Sequence, residues 1–132
     1  MNATTIDHIG IIVEDLERSI AMFKHLFHLE SAKIKEMPDL DLKIAHLKAA
    51  NISIELLQYT GEGESLAKKT MGMKPGINHL SIRVGDIKNS LTALEDKGLN
   101  IMEGFPREGS HGQVAFFEPE ATEGVLLEVC EE

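Results

Sequence analysis

The sequence has little cysteine, few aromatic residues, few cationic residues and no long apolar run. Its single cysteine, Cys130, excludes an internal disulfide and fits a reducing compartment. No apolar stretch approaches the roughly 20 residues that cross a bilayer. The first residues lack the basic start and apolar core of a signal peptide. We therefore expect a cytoplasmic protein with no membrane partner.

The shortage of cations limits the possible partners. The chain has 13 Lys and Arg against 22 Asp and Glu, giving a net charge of −9. Non-specific nucleic-acid binding needs clustered Lys and Arg, so no nucleic-acid partner is expected. An anionic small molecule stays possible, because a metal or a few local cations can govern a pocket. A length of 132 residues predicts a single domain that can bury a core.

An internal duplication is the main feature of the sequence. The stretch 6–13, Ile-Asp-His-Ile-Gly-Ile-Ile-Val, recurs as the stretch 77–84, Ile-Asn-His-Leu-Ser-Ile-Arg-Val. The stretch 52–56, Ile-Ser-Ile-Glu-Leu, is echoed by the stretch 125–129, Val-Leu-Leu-Glu-Val. Each half therefore opens with a His on an apolar strand and closes with a Glu on another.

The two halves also share an order of elements. Asp15 and Asp86 follow the repeated stretches and suit helix N-caps, with helices extending to about residue 27 and to Gly98. Further strands are expected near 30–36, 42–47 and 52–58, and again near 99–103, 113–117 and 125–129. The pattern predicts an α+β fold of two β-α-β-β-β modules, about 5–59 and about 77–130. A connector at 60–76 contains a short helix from Ser65 to Met71.

The repeated residues suggest a metal site. A lone strand His is usually structural and a strand Glu usually faces solvent, but carboxylates on apolar strands are costly unless a cation compensates them. Two imidazoles and two carboxylates suit Zn, Co, Ni, Mn or Fe(II), and six-coordination would leave two positions for water or substrate. We expect one divalent ion to be bound by His8, Glu55, His79 and Glu128.

The other histidines carry weaker signals. His111 lies in a loop predicted at 104–112, beside a possible cleft, and is a candidate for contacting substrate. His46 is expected in a strand near Glu55, where a structural role is favoured over entry into the cleft. His25 and His28 flank the end of the first helix and are expected to face solvent or complement its dipole.

These motifs resemble the vicinal oxygen chelate superfamily of glyoxalases, bleomycin-resistance proteins and dioxygenases. The resemblance is carried by Asp-His-Ile-Gly at 7–10, Glu-Leu-Leu at 55–57, Asn-His-Leu-Ser at 78–81 and Gly-Val-Leu-Leu-Glu at 124–128. Within the superfamily the chain is most similar, over nearly its whole length, to the methylmalonyl-CoA epimerase family. This similarity implies a glyoxalase-like fold in which the paired modules form a cupped sheet around a metal site, and a homodimer.

The resemblance also implies an activity and roles for residues. The expected reaction interconverts the C2 epimers of methylmalonyl-CoA, an acyl-CoA substrate, through a metal-stabilised enolate. The metal is expected to be Co, Ni, Zn or Mn. Glu128 and Glu55 are the candidate proton-transfer groups, with Glu128 preferred, and His111 is a candidate for orienting the substrate.

The chain departs from the family pattern at two places. Glu118-Pro119-Glu120 stands where relatives commonly carry His-Pro-Lys, and Lys43 approximately matches a third-strand carboxylate proposed as a base in some epimerases.

Three other activities compete with epimerisation. One is a lactoylglutathione lyase of the glyoxalase I type, which uses the same kind of proton transfer. Another is an Fe(II) dioxygenase, which would use two His and one carboxylate and leave three open positions, so the second carboxylate here favours non-redox chemistry. The third is a non-catalytic binding protein, and such proteins usually lack the four ligands.

Overall fold

The computed structural model describes residues 4–31 and 33–131 of the chain. The chain divides into two compact units. Of the described residues, the first unit comprises those within His8–Asn78, and the second comprises residues 79–131 together with residues 4–7. The boundaries between the units fall at the two repeated histidines, and each unit contains the Glu that follows its histidine in the sequence.

The first unit contains one copy of the β-α-β-β-β order and the connecting helix. Its elements are β1 (Thr5–Ile12), α1 (Leu16–Phe27), β2 (Lys35–Met37), β3 (Leu42–Lys48), β4 (Ser53–Tyr59) and α2 (Leu66–Met71). The strand order is β2-β3-β4-β1. Strands β1 and β4 run parallel, whereas β2–β3 and β3–β4 are antiparallel.

The second unit repeats this arrangement. Its elements are β5 (Gly76–Val84), α3 (Ile87–Asp96), β6 (Arg107–Gly109), β7 (Gly112–Phe116) and β8 (Leu127–Glu131). The strand order is β5-β8-β7-β6. Strands β5 and β8 run parallel, and the other two pairs are antiparallel. The predicted α+β class and the paired β-α-β-β-β modules are confirmed.

The helices α1 and α3 begin in the same way. The side chain of Asp15 accepts a hydrogen bond from the Arg18 backbone N–H at 3.1 Å. The side chain of Asp86 accepts one from the Asn89 backbone N–H, also at 3.1 Å. Each bond satisfies a backbone donor that has no partner inside the helix, so both predicted N-caps are confirmed.

The last strand of each unit also holds the start of its helix. The Gln58 side chain on β4 accepts from the Leu16 backbone N–H at 2.7 Å. The Glu131 side chain on β8 accepts from the Ile87 backbone N–H at 2.8 Å. The duplication in the sequence is therefore reproduced in specific long-range hydrogen bonds.

Apolar side chains cover both faces of the first-unit sheet. The core on the α1 side contains Leu16, Ala45, Leu47 and Leu56. The core on the opposite side contains Ile12, Met37, Leu40, Leu42, Ile44, Leu57 and Ala67. Because strand side chains alternate between faces, His8, His46 and Glu55 lie on the face opposite α1.

The second unit has a core between its sheet and α3. This core contains Ile87, Leu91, Ala115, Phe117 and Val129. Alternation along β7 and β8 places Phe116 and Glu128 on the face away from α3.

The predicted strand at 99–103 is wrong. Only an isolated bridge forms there, between Ile101 and Phe117. The strand that precedes β7 is instead β6, which lies inside the predicted loop 104–112. A tight turn at 110–111 pairs β6 with β7. The turn requires Gly112, whose φ is +92° and where any Cβ would lie only 2.8 Å from the Glu131 carbonyl oxygen. The strand predicted at 30–36 is likewise shorter and later, as β2.

The connecting segment contains the expected short helix. Ser65 caps α2 by accepting from the Lys68 backbone N–H at 3.2 Å, and the helix ends at Gly72. Among residues 4–31 and 33–131, no helix is both long enough and apolar enough to span a membrane.

Candidate functional site

The first His/Glu pair lies on adjacent parallel strands. In the β1–β4 register, Gly10 stands opposite Glu55. His8 is two residues before Gly10, so its side chain emerges on the same face as that of Glu55. His8 is 4% exposed and Glu55 is 6% exposed. The His8 Nε2 atom lies 3.5 Å from Glu55 Oε2.

The second His/Glu pair repeats this geometry. In the β5–β8 register, Ser81 stands opposite Glu128, and His79 is two residues before Ser81. His79 is 3% exposed and Glu128 is 5% exposed. The His79 Nε2 atom lies 3.8 Å from Glu128 Oε1. The alternative that these glutamates face solvent is therefore excluded.

The chemistry and spacing of each pair fit a metal ion. Separations of 3.5 and 3.8 Å are longer than the roughly 2.7–3.2 Å of a good hydrogen bond. They are shorter than about 4.2 Å, twice a typical first-row metal–ligand distance. One ion could therefore contact both members of a pair. Buried imidazole nitrogen and carboxylate oxygen also form the mixed donor set that such metals accept.

His46 lies closer to Glu55 than its place in the sequence indicated. In the antiparallel β3–β4 register it stands directly opposite Glu55. Its Nε2 atom lies 3.6 Å from Glu55 Oε2, the same oxygen that His8 approaches. The sequence does place His46 in the strand before the one that carries Glu55, which is a signal of proximity. Which residue stands opposite His46 depends on the register of the β3–β4 hairpin.

The corresponding position in the second unit is occupied by Phe116. In the β7–β8 register Phe116 stands opposite Glu128. Its ring meets the His79 ring edge-on, with centroids 5.0 Å apart and an interplanar angle of 81°. The Phe105 ring packs on Phe116 at 5.4 Å. The second pair therefore has an aromatic neighbour where the first has an imidazole.

The remaining predicted residues lie apart from these pairs. His111 is exposed at the turn between β6 and β7. His25 is exposed in the last turn of α1, and His28 is its left-handed C-cap, as expected for solvent-facing residues. Lys43 shares the α1 face of β3 with Ala45, and its ammonium lies 3.8 Å from Glu36. Lys43 therefore lies on the opposite face of the sheet from Glu55.

The single cysteine is close to the second pair in sequence and shares its sheet face. Cys130 is buried, two residues after Glu128. Burial raises the pKa of its thiol to about 12, although the Ser81 hydroxyl partly opposes the shift. A thiol with this pKa holds its proton at neutral pH, which argues against Cys130 as a nucleophile.

The repeated modules and their buried His/Glu pairs define a family. The sequence profile of the Glyoxalase/Bleomycin resistance protein/Dioxygenase superfamily matches residues 7–117, and the chain belongs to this superfamily. Among its relatives is the ethylmalonyl-CoA/methylmalonyl-CoA epimerase of Cereibacter sphaeroides. The two are 31% identical over 130 residues, covering 94% of this chain and 95% of the relative.

Solved structures extend the similarity to the whole fold. The methylmalonyl-CoA epimerase of Mycobacterium tuberculosis superposes with a TM-score of 0.84 at 27% identity, covering 99% of this chain and 92% of that one. A variant of the Streptomyces coelicolor methylmalonyl-CoA epimerase, in complex with 2-nitronate-propionyl-CoA, gives a TM-score of 0.86 at 25% identity, covering 99% and 96%. The resemblance proposed from the sequence is confirmed.

Proposed function

We propose that this protein interconverts the C2 epimers of methylmalonyl-CoA, with one divalent metal held by His8, Glu55, His79 and Glu128. The observation that carries the proposal is the recurrence of a buried His/Glu pair at matching strand positions in both units. The named relatives add support, because they are epimerases of this substrate or of a close analogue.

The donor set is the reason for including a metal. Two imidazoles and two carboxylates suit Co, Ni, Zn or Mn, and they leave positions for a substrate when the ion is six-coordinate. When bound, the ion supplies Lewis-acid stabilisation for negative charge that develops on the thioester oxygen. Within each pair, the 3.5 and 3.8 Å separations are compatible with two ligands of one ion.

The two glutamates are the candidate proton-transfer groups, and Glu128 is preferred. The substrate's C2 proton lies between a thioester carbonyl and a carboxylate, so its removal leaves a planar enolate. Return of a proton to the opposite face gives the other epimer. Glu128 accepts the proton in this scheme, and Glu55 is the second candidate, because the two occupy equivalent positions in related units. General acid–base groups of this kind typically contribute ~10²–10⁴-fold to a rate.

An acyl-CoA is the proposed substrate class, and its recognition uses residues away from the pairs. His111, exposed at the β6–β7 turn, is proposed to orient the substrate. Glu118 and Glu120 flank Pro119 at a short 3₁₀ turn, Pro119–Thr122. This acidic segment replaces a cation common in the family, so we expect the CoA phosphates to be bound elsewhere on the protein.

The decisive experiment follows proton exchange at C2. Protein loaded with Co(II) is incubated with methylmalonyl-CoA in deuterated water, and deuterium at C2 is measured by NMR or mass spectrometry. Metal-dependent exchange that His8→Ala abolishes supports the proposal. Absence of exchange by metal-loaded wild-type protein contradicts it. Three other results would indicate the alternative functions. Turnover of methylglyoxal with glutathione would indicate a glyoxalase, and oxygen consumption with a catechol would indicate a dioxygenase. Ligand binding without turnover would indicate a non-catalytic protein.

A further inference from the structure

Glu55 has two imidazole neighbours on two different strands. The strand order β3-β4-β1 puts Glu55 on the central strand, with His46 on one side and His8 on the other. Both Nε2 atoms approach Glu55 Oε2, at 3.6 Å from His46 and 3.5 Å from His8. The side chains of His46 and Glu55 are 14% and 8% exposed, so water competes little for this contact.

In the second unit, the position across the hairpin from the Glu is not a histidine. The residue directly across the hairpin from Glu128 is Phe116, whereas the residue directly across from Glu55 is His46. A phenyl ring offers no N–H to a carboxylate. Two units that match in topology, helix caps and His/Glu pairs therefore differ at the hairpin position across from each carboxylate.

The two histidines beside Glu55 differ in whether the duplication repeats them. His8 has a counterpart in His79, and this duplicated pair belongs to the proposed metal-ligand set. His46 has no such counterpart and reaches the carboxylate from the neighbouring strand on the other side. A neutral imidazole carries one N–H and can donate it to a carboxylate. Ligand carboxylates are commonly held in this way by outer hydrogen bonds, which fix their orientation.

We propose that His46 is a positioning residue that donates its Nε2–H to Glu55 and fixes this carboxylate as a ligand. The inference rests on the proposed function and deepens it. The 3.6 Å contact is longer than a good hydrogen bond, so the proposal requires it to shorten when Glu55 acts as a ligand. Glu128 receives no equivalent bond from Phe116, so the two carboxylates divide their work. Glu55 would be held as a ligand, and Glu128 would be the mobile group that takes the C2 proton from one face of the substrate and returns a proton to the other.

The test compares three variants by Co(II) binding. His46→Phe copies the second unit and removes the N–H, and His46→Gln keeps an N–H near the position of Nε2. His25→Phe makes the same change on the exposed end of α1 and is the matched control. Co(II) affinity and the visible absorption spectrum of the bound ion are measured in each, with circular dichroism and thermal unfolding to verify folding. C2 proton exchange is measured in parallel.

The inference predicts a specific order of affinities. His46→Phe should bind Co(II) about 10–100-fold more weakly and with an altered spectrum, whereas His46→Gln and His25→Phe should stay within about threefold of wild type. Wild-type affinity and spectrum in folded His46→Phe would overturn the inference, as would an equal loss in His46→Gln. If the wild-type protein itself takes up no Co(II), both this inference and the proposed metal-dependent function are wrong. Metal uptake without proton exchange would overturn the epimerase activity alone.

Discussion

At the scale of single residues, the two carboxylates have matching positions and different neighbours. Glu55 faces His46 across its hairpin, and Glu128 faces Phe116 across the other. Both carboxylates are buried, so each needs compensation from a cation or a hydrogen-bond donor. The difference in neighbours gives a physical reason to assign different roles to two residues that the sequence presents as equivalent.

The substitution Glu128→Gln tests this assignment. An amide has nearly the shape of the carboxylate and keeps an oxygen for a metal, but it cannot carry the C2 proton. We expect metal-loaded Glu128→Gln to lose C2 exchange by ~10²-fold or more while retaining bound metal, as measured by deuterium incorporation and metal analysis. Glu95→Gln, an exposed change on α3, serves as the control. Wild-type exchange in Glu128→Gln would pass the role to Glu55 or another group.

At the scale of elements, the end of β4 is tied to the connecting helix by one side chain. The Tyr59 hydroxyl lies 2.6 Å from the Gly72 carbonyl oxygen and 3.2 Å from that of Ala67. The Lys68 ammonium lies 5.7 Å from the centre of the Tyr59 ring. The hydroxyl has one proton, which it donates to the nearer Gly72 carbonyl while the Ala67 carbonyl is also within reach, so Tyr59 ties the end of β4 to α2.

This connection predicts a pH-dependent stability. Burial raises the pKa of Tyr59 from 10.0 to about 12, so the phenol contributes to stability fully below pH 10 and loses that contribution between pH 10 and 12. We expect Tyr59→Phe to destabilise the protein by ~1 kcal/mol at pH 8, and by less near pH 12. Urea unfolding at the two pH values measures both effects.

A spectroscopic titration provides an independent test. Tyr59 is the only tyrosine, and the chain has no tryptophan, so tyrosinate absorbance reports this residue alone. A titration midpoint near 10 in the folded protein would contradict the raised pKa that partial burial of Tyr59 gives.

At the scale of the whole molecule, metal binding should be a property of the complete chain. If one ion uses both His/Glu pairs, the chain binds one equivalent, and His8→Ala and His79→Ala each abolish tight binding. Free metal at 100 times its dissociation constant should stabilise the wild type by about 2.7 kcal/mol, raising the melting temperature by roughly 10 °C. Calorimetric titration gives the stoichiometry. Two equivalents, with each variant retaining one, would instead show that each pair binds its own ion.

Two further whole-molecule properties stay predictions. The resemblance to the epimerase family implies a homodimer, which light scattering would detect as a mass near twice 14.6 kDa. The cytoplasmic location expected from the single cysteine is the other.

Local patterns in the sequence were enough to predict most of the fold. The repeated stretches predicted β1 and β5, and Asp15 and Asp86 marked the starts of α1 and α3. Alternation of apolar residues predicted β3, β4 and β7. These features depend on neighbours in the chain, which is why a single sequence reveals them. The strand near 99–103 was misplaced because its apolar residues pack into the second core without forming a ladder.

What the sequence determined by itself is the duplication, and with it the equivalence of His8 with His79 and of Glu55 with Glu128. What only the tertiary structure decided is which residues face these carboxylates. A strand Glu can point to solvent or to a buried face, and both choices fit the same alternation. The register of each hairpin then put His46 opposite Glu55 and Phe116 opposite Glu128. A shift of one residue would turn these side chains to the other face, so their position depends on the geometry of each turn and on which face of the sheet is buried.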